Sequence, residues 1–350
     1  MGKGAMVGLK TATKIKITLR NLFTISPGAI GNYVRYKLGP RRAEIHRAGY
    51  GPIVGALLVT KRCNLSCPFC IIPPLSKPDE WNRYEADPKK IIRILEHPLA
   101  KRVLYFGLSG GEPLMNKNLP EIVRLIRKRG HFCGIVTNGT LLGDHVRELK
   151  KNGITLINVS VYDTNIEKLS RILPQVNKIF RCRANKILRQ SELERTPEKI
   201  EAAIRMSRDS GCYGIYFGNY LPHGTEDAGE VVYEDNVAYS MFRAEMTAQF
   251  RGFPIYWPTP MKRVLAPRDK KCRMLWYYLS IDMMGNLGLC CTFSIDHNGA
   301  YGNLFAPDDS GRLNTPMKVK MRTTLLADSP EIPAICRNCP IMCDEWVSDY

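Results

Sequence analysis

The sequence has no long apolar run. Nowhere do its 350 residues approach the roughly 20 consecutive apolar residues that a membrane-spanning helix needs. Its N-terminus also lacks the short apolar block and cleavage site of a secretory signal peptide, and no low-complexity tract interrupts the chain. With 44% hydrophobic and 24% charged residues, the composition predicts a soluble cytoplasmic protein of about two domains.

Acidic residues are nearly missing from the first sixth of the chain. Residues 1–62 contain twelve Lys and Arg residues against one acid, Glu44, within a total formal charge of +18. This balance indicates an anionic partner (a phosphorylated substrate, a membrane surface or nucleic acid) unless the arm is merely solvated. Apolar residues at helical spacing predict basic amphipathic helices within 9–38, broken near Pro27, with a short strand at 14–19 as the alternative. We expect this arm to dock on its own domain rather than lie peripherally on a membrane.

The most distinctive stretch has three thiols but no fourth ligand beside it. Cys63, Cys67 and Cys70 lie within eight residues, directly after an apolar run. Thiolates this close can all point at one centre, and three ligands leave a coordination position open, which suits chemistry better than a purely structural site. A zinc knuckle is the alternative, but it needs a fourth Cys or His, and neither His46 nor His97 has ligand-like spacing. Cysteines clustered in this way also indicate a reducing compartment rather than disulfides.

Strand and helix patterns alternate from residue 53 onward. Repeated βα units predict an α/β fold with a parallel sheet and a functional site at the carboxyl ends of the strands. The predicted strands are 53–59, 102–107, 132–136, 156–161, 178–183 and 213–217. The predicted helices are 87–95, 119–128, 142–151, 166–173, 196–210 and 237–250.

Two motifs give the sequence a family resemblance. The cysteine triplet with Phe69 resembles the CxxxCxΦC signature of the radical S-adenosylmethionine (SAM) superfamily, and Gly-Gly-Glu-Pro at 110–113 resembles a second motif of that family. The resemblance implies a partial (βα)6 TIM-like barrel in which Cys63, Cys67 and Cys70 bind three irons of a [4Fe–4S] cluster, with SAM on the fourth iron. It further implies an external electron donor of flavodoxin or ferredoxin type. SAM cleavage would then yield a 5′-deoxyadenosyl radical that abstracts a substrate hydrogen.

The second motif is expected to contact SAM. By resemblance, Glu112 or its backbone neighbours hold the methionyl amine. Gly110 and Gly111 carry no Cβ, so the backbone there is free to approach a ligand closely.

Three further residues are candidate SAM contacts. Asn138, within Thr-Asn-Gly at the end of the third strand, is either such a contact or an ordinary turn residue. Ser160 resembles a SAM-contacting serine of the family, although the family's usual glycine after the following aspartate is missing. Arg183 either meets the SAM carboxylate or forms a surface salt bridge.

The C-terminal cysteines resemble a second metal site. Their spacing around Gly285 resembles the twitch form of the SPASM extension, which implies one auxiliary [4Fe–4S] cluster; a zinc ribbon is the alternative. Cys291 and Cys343 are alternative ligands, hydrogen donors that quench a substrate radical, or bystanders. The four candidate ligands are Cys272, Cys290, Cys336 and Cys339. The cysteines predicted to be small buried hydrophobes are Cys133, Cys182 and Cys212.

These features predict four segments and a reaction class. The segments are a basic arm at 1–52, a barrel at 53–220, a linker at 221–271 and a cysteine-rich α+β extension at 272–350. We expect an oxidoreductase or isomerase that dehydrogenates or epimerises a polar, anionic small molecule such as a sugar, aminocyclitol or nucleotide derivative. One alternative is peptide maturation, although 62 residues barely accommodate a leader-binding domain. The others are lipid modification at a membrane surface and a zinc-stapled nucleic-acid-binding protein; we expect no nucleic-acid partner.

Overall fold

In a computed structural model, part of the chain is described in detail. The described residues are 24–38, 50–70, 84–222, 229–270, 272–291, 301–307, 314–329, 331–333, 336, 337 and 339–343. The helix or strand predicted before residue 24 lies outside them. Within these ranges, none of the helices combines the length and hydrophobicity that a membrane crossing requires.

One open sheet runs through the described part of the chain. Its strands are β1 (Val54–Thr60), β2 (Tyr105–Gly110), β3 (Phe132–Thr137), β4 (Leu156–Ser160), β5 (Arg183–Leu188), β6 (Ile215–Asn219), β7 (Ile255–Tyr256), β8 (Tyr278–Ile281) and β9 (Leu287–Gly288). Their order is β7-β6-β5-β4-β3-β2-β1-β8-β9. Every pair from β7 to β8 is parallel, whereas β9 is antiparallel to β8. The predicted α/β partial barrel with a parallel sheet is confirmed.

Helices follow most of these strands. They are α1 (Pro27–Leu38), α2 (Pro88–Glu96), α3 (Leu119–Lys128), α4 (Leu142–Lys151), α5 (Ile166–Ile179), α6 (Gln190–Arg195), α7 (Pro197–Asp209), α8 (Val237–Gln249), α9 (Met274–Tyr277) and α10 (Pro316–Leu326). Buried side chains of β1 to β6 and of α2 to α8 form the largest apolar core. The sheet is therefore packed rigidly enough to position loops at the carboxyl ends of its strands.

Local signals in the sequence fix most helix boundaries. α2 begins after Asp87, whose side chain accepts a hydrogen bond from a first-turn backbone N–H at 2.9 Å, and Pro88 takes a position where no N–H is needed. Its apolar residues recur at helical spacing, so that Ile91 and Ile94 are fully buried against the sheet. The predicted spans of α3, α4 and α7 are likewise confirmed to within one residue.

The predicted strand at 178–183 is wrong. α5 continues through Pro174 to residue 179, and β5 begins at Arg183. Proline in a helix interior removes a hydrogen bond and usually ends the helix, but the buried side chains of Leu173 and Val176 hold this one in place on both sides of it. As a result, Arg183 lies at the amino end of its strand instead of the carboxyl end.

The described part of the basic arm docks on the barrel, as predicted. Asn32 of α1 is buried, and its side-chain amide donates to the carbonyl oxygens of Gly51, Pro52 and Arg102 at 3.0–3.2 Å. Its Oδ1 accepts a hydrogen bond from Gly51 N at 2.7 Å. Because a buried amide costs free energy when its hydrogen bonds are unmade, these contacts hold α1 at the amino ends of the strands.

The cysteine-rich region adds to the same sheet. β8 pairs in parallel with β1, with Val54 opposite Tyr278. Residues 221–271, predicted as a linker, contribute α8 and the edge strand β7. The sheet therefore continues across two boundaries of the predicted four-segment division. The division itself stays a prediction.

Candidate functional site

The cysteine triplet occupies the loop after β1. Cys63 and Cys67 are partly buried, Cys70 is exposed, and none of the three forms a disulfide. Cys70 N donates to Cys67 O at 3.1 Å, which turns the loop back on itself. Burial raises the pKa of Cys63 and Cys67, and the charges of neighbouring cysteines raise it further. Three thiols that influence each other in this way fit a shared cationic centre, which stabilises their thiolates.

Two glycines let the end of β2 pass against the start of this loop. A Cβ on Gly110 would lie 2.1 Å from Thr60 O, and one on Gly111 would lie 2.1 Å from Arg62 O. Gly110 also has φ +135°, which side-chain-bearing residues rarely adopt. Gly111 N donates to Thr60 O at 2.8 Å. The glycines therefore bring backbone against backbone beside Cys63, and their approach to a ligand stays a prediction.

Glu112 anchors the next strand. Its carboxylate is 1% exposed and accepts hydrogen bonds from Leu114 N at 3.0 Å, Thr137 Oγ1 at 2.7 Å and Asn138 N at 2.6 Å. Burial raises the pKa of Glu112, while these hydrogen bonds act in the opposite direction. Both carboxylate oxygens are thus already bound within the protein. If this motif holds the methionyl amine, its backbone neighbours are the better placed donors and acceptors.

An amide network ties the triplet loop to two strand ends. Asn138 Nδ2 donates to Asn64 Oδ1 at 2.8 Å, and Asn64 Nδ2 donates to Thr140 Oγ1 at 2.9 Å. Asn165 Nδ2 donates to the carbonyl oxygens of Asn138 and Ser160 at 2.8 and 2.9 Å. Sequence reasoning predicted Asn138 but missed Asn64, which stands between two cysteines and gives no signal of its own. Through this network, β3 and β4 set the position of the loop.

The predicted SAM contacts Ser160 and Arg183 lie on the neighbouring strands β4 and β5, and their contact with SAM stays a prediction. Ser160, at the carboxyl end of β4, is buried and its Oγ accepts from Asn185 Nδ2 at 3.1 Å. Arg183 is buried at the amino end of β5, where its Nε donates to Asn158 Oδ1 at 2.7 Å. Ser160 is opposite Asn185 in the β4–β5 pair, and Arg183 is opposite Asn158, two positions nearer the amino ends of the strands.

A different arginine lies at the carboxyl end of β5. The Arg189 guanidinium is 5.5 Å from the centre of the Phe69 ring, and the Tyr162 ring centre is 5.6 Å from that of Phe69. Glu192 pairs with Arg189 at 3.5 Å. Phe69 therefore packs the triplet loop against β4 and β5 through its ring. Sequence reasoning named Arg183, whose contact with SAM stays a prediction, and did not name Arg189.

The C-terminal cysteines line a small cavity of about 20 Å³. The rest of its lining consists of Met, Leu and Ile side chains. Burial raises the pKa of Cys272 and Cys336, and the neighbouring cysteines raise it further. Of the predicted residues, the cavity brings together Cys272, Cys290, Cys291, Cys336 and Cys339. The side chain of Cys343 lies outside the described part.

The donor set of this cavity is all sulfur. Within the described residues, no three Cys, His, Asp or Glu side chains form a group that one metal ion would bind. Zinc binds thiolates at about 2.3 Å, whereas in a four-iron cluster each thiolate binds a separate iron. Thiols from three stretches of chain fit such a cluster, and a zinc ribbon is the alternative.

Two cations are buried beside this cavity on α10. Lys318 is 1% exposed and Arg322 is fully buried. Arg322 donates to Leu275 O and to Asn314 Oδ1, at 2.5 and 2.6 Å. Burial and repulsion by Arg322 lower the pKa of Lys318 to about 8, against the opposite effect of Cys290. Sequence reasoning missed both residues because basic residues on a helix normally face solvent.

The chain is similar to known proteins over part of its length. Over 173 residues the chain is 32% identical to the PqqA peptide cyclase of Granulibacter bethesdensis. This alignment covers 44% of this chain and 45% of that protein. Over 159 residues it is 33% identical to a probable GTP 3′,8-cyclase of Archaeoglobus fulgidus, covering 44% of this chain and 51% of that protein. The chain thus spans about half the length of the curated relatives it matches.

A solved structure shares the fold. Streptococcus suis SuiB bound to precursor peptide SuiA superposes with a TM-score of 0.59 at 15% identity, over 94% of this chain and 86% of that one. The model of the Radical SAM superfamily matches residues 57–235, about half of the chain and the whole region from the triplet to β6. The chain therefore belongs to the radical SAM superfamily, as its motifs predicted.

Proposed function

We propose that this radical SAM enzyme modifies a peptide, with a [4Fe–4S] cluster and SAM at the triplet loop and a second [4Fe–4S] cluster in the C-terminal cavity. The observation that carries the two-cluster part is the cavity itself, which gathers five cysteines from three separate stretches of chain. Peptide modification replaces the sugar, aminocyclitol or nucleotide substrate that the sequence suggested. It is supported by a relative that is a PqqA peptide cyclase and by a fold neighbour bound to a precursor peptide.

The residues of the chain have distinct tasks in this proposal. Cys63, Cys67 and Cys70 would hold the first cluster, and the Asn64–Asn138 hydrogen bond would keep their loop in one position. Glu112 holds the end of β3 against the loop and is not free to take a proton from the substrate. When bound, the reduced cluster and SAM supply the radical that removes a hydrogen atom from the substrate.

The C-terminal cavity would hold a cluster closed to substrate. Four of its cysteines are enough for four irons, which leaves no iron open to bind another group. Such a cluster supplies electron transfer. Phe69 of the triplet loop packs against a buried apolar cluster of side chains. Four cysteines of the C-terminal cavity pack against the same cluster: Cys272, Cys290, Cys336 and Cys339. The two cysteine sets thus flank a common core.

Metal analysis and substrate fractions test this proposal. Anaerobically reconstituted protein should hold about eight irons per chain. A content of about four irons, with zinc in the C-terminal cavity, would contradict the second cluster. Peptide and nucleotide–sugar fractions from the encoding organism should then be compared for stimulation of 5′-deoxyadenosine formation. We expect the peptide fraction to stimulate it and a peptide to lose hydrogen by mass spectrometry. Stimulation by the nucleotide–sugar fraction alone would favour the small-molecule oxidoreductase, for which the GTP 3′,8-cyclase relative is the supporting observation.

A further inference from the structure

The face of α10 that lines the cysteine cavity also carries a buried lysine. Lys318, Met321 and Leu325 follow each other at i, i+3 and i+7, so they lie on one stripe of the helix. Met321 and Leu325 line the cavity. Lys318 is buried on the same stripe, and the charge of Cys290 is close enough to influence its ammonium group.

Lys318 has no counter-charge in the protein that is described. Its Nζ is buried and, among the described residues, no acceptor lies within hydrogen-bonding distance of it. By contrast, Arg322, one turn further along, bonds Leu275 O and Asn314 Oδ1. A buried ammonium group without an acceptor is strongly unfavourable unless negative charge lies close by.

A cluster would supply that negative charge. Thiols that bind iron are deprotonated, and four thiolates give the whole cluster a net negative charge that increases by one on reduction. Cys290, one of the four candidate ligands, lines the same cavity as Met321 and Leu325 of this stripe. The stripe therefore places a buried cation on the side of α10 that faces the proposed cluster.

Resting on the proposed second cluster, we propose that Lys318 is the counter-charge of this cluster and raises its reduction potential, with Arg322 as a second buried cation beside it. A positive charge stabilises the reduced state more than the oxidised state, because the reduced state carries more negative charge. Lys318 would thereby make the cluster a better electron acceptor. The lysine acts through the cluster and has no role in touching substrate.

The test is the reduction potential of the second cluster in Lys318→Met. The measurement is an anaerobic redox titration monitored by electron paramagnetic resonance, in full-length protein whose Cys63, Cys67 and Cys70 are replaced by Ala. This background leaves the C-terminal site as the one source of signal. We expect the equilibrium constant for reduction of the cluster to fall about tenfold. This fall lowers the reduction potential by about 59 mV for a one-electron couple. Lys318→Arg keeps the charge and should keep the potential near its original value.

Lys320→Met is the matched control. Lys320 lies on the same helix but is exposed, so the same loss of charge is screened by solvent and should leave the potential nearly unchanged. An unchanged potential in Lys318→Met would overturn the counter-charge inference while leaving the second cluster in place. Zinc instead of iron in the triple-Ala background would overturn the cluster and this inference together.

Cluster assembly gives a second readout if Lys318→Met binds no iron. Lys318→Gln then serves as the second uncharged variant. Iron uptake by Lys318→Arg but by neither uncharged variant would support the inference, because charge rather than packing decides the result. Loss of iron in all three variants would overturn it in favour of a packing role.

Discussion

The two cysteine sites are built in opposite ways. The triplet loop takes its three thiols from eight consecutive residues, leaves Cys70 exposed, and is held from outside by hydrogen bonds to neighbouring strand ends. The C-terminal cavity takes its thiols from three stretches between residues 272 and 339 and encloses them among apolar side chains. One site is thus local in sequence and open, whereas the other exists only after the chain has folded.

This difference explains how each site would treat its cluster. An open loop with three thiols leaves one iron for a cofactor and must be fixed by surrounding hydrogen bonds. An enclosed cavity with four or five thiols leaves no iron open and must instead balance the negative charge it buries. The amide network around Asn64 and the buried Lys318 correspond to these two requirements.

The largest expected effect comes from the open site. Cys67→Ala should abolish 5′-deoxyadenosine formation and lower the iron content from about eight to about four per chain, because two thiols no longer hold the SAM-binding cluster. The fold should survive, since the loop lies outside the main core. Iron analysis and chromatography of the nucleoside product measure both effects. Cys212→Ala changes a buried core residue and is the control, which should keep both iron and activity. SAM cleavage in a variant that lacks all three loop thiols would contradict the assignment of the SAM-binding cluster.

The enclosed site should respond differently. Cys272→Ala should also lower the iron content to about four per chain, but SAM cleavage should continue because the triplet is intact. Product formation should then stop while 5′-deoxyadenosine accumulates, since the proposed electron acceptor is missing. Parallel assays of nucleoside and product test this separation. Loss of both activities together would show that the two sites are not independent.

The sequence predicted the local features and missed those made by tertiary contacts. The N-cap at Asp87 and the spans of α3 and α4 follow from short-range signals, and the prediction that Cys133, Cys182 and Cys212 are buried is confirmed. The fifth strand was predicted too early in the chain because its first residues belong to α5, which continues past Pro174. Buried side chains on both sides of Pro174 outweigh the cost of a proline within a helix. That error placed Arg183 at the carboxyl end of its strand, whereas the structure places it at the amino end.

The burial of Lys318 and the pairing of Asn64 with Asn138 had no sequence signal. A lysine on a helix and an asparagine in a loop are ordinary surface residues by type. What distinguishes them here is the partner that a distant segment brings, which is the cysteine cavity for Lys318 and the end of β3 for Asn64. Ligand sets close in sequence can be predicted, whereas the residues that orient and balance them depend on the fold.

The support of the open loop can be tested without touching a ligand. Asn64→Ala removes the hydrogen bonds to Asn138 and Thr140 and should lower SAM cleavage by about 10–100-fold, the usual cost of losing a group that orients metal ligands. Iron content should stay near its original value, which separates positioning from ligation. Asn152→Ala removes an exposed hydrogen bond on α4 and should have little effect. An equal loss of activity in both variants would remove the special role of the network.

The smallest effect is expected from the fifth thiol of the enclosed cavity. Cys291 directly follows Cys290, and neighbouring residues in a chain rarely direct both side chains to the same metal. The Gly-x4-Cys stretch from Gly285 to Cys290 resembles the opening of the SPASM/twitch motif, and this resemblance implies Cys290 as the ligand. Cys291→Ala should therefore keep about eight irons per chain and destabilise the protein by no more than about 1 kcal/mol in thermal unfolding. Turnover should also persist if the reaction ends in a net oxidation, since no hydrogen donor is then needed. Arrest after one hydrogen abstraction, with all iron retained, would instead assign Cys291 as the donor of an epimerase; loss of four irons would make it the ligand in place of Cys290.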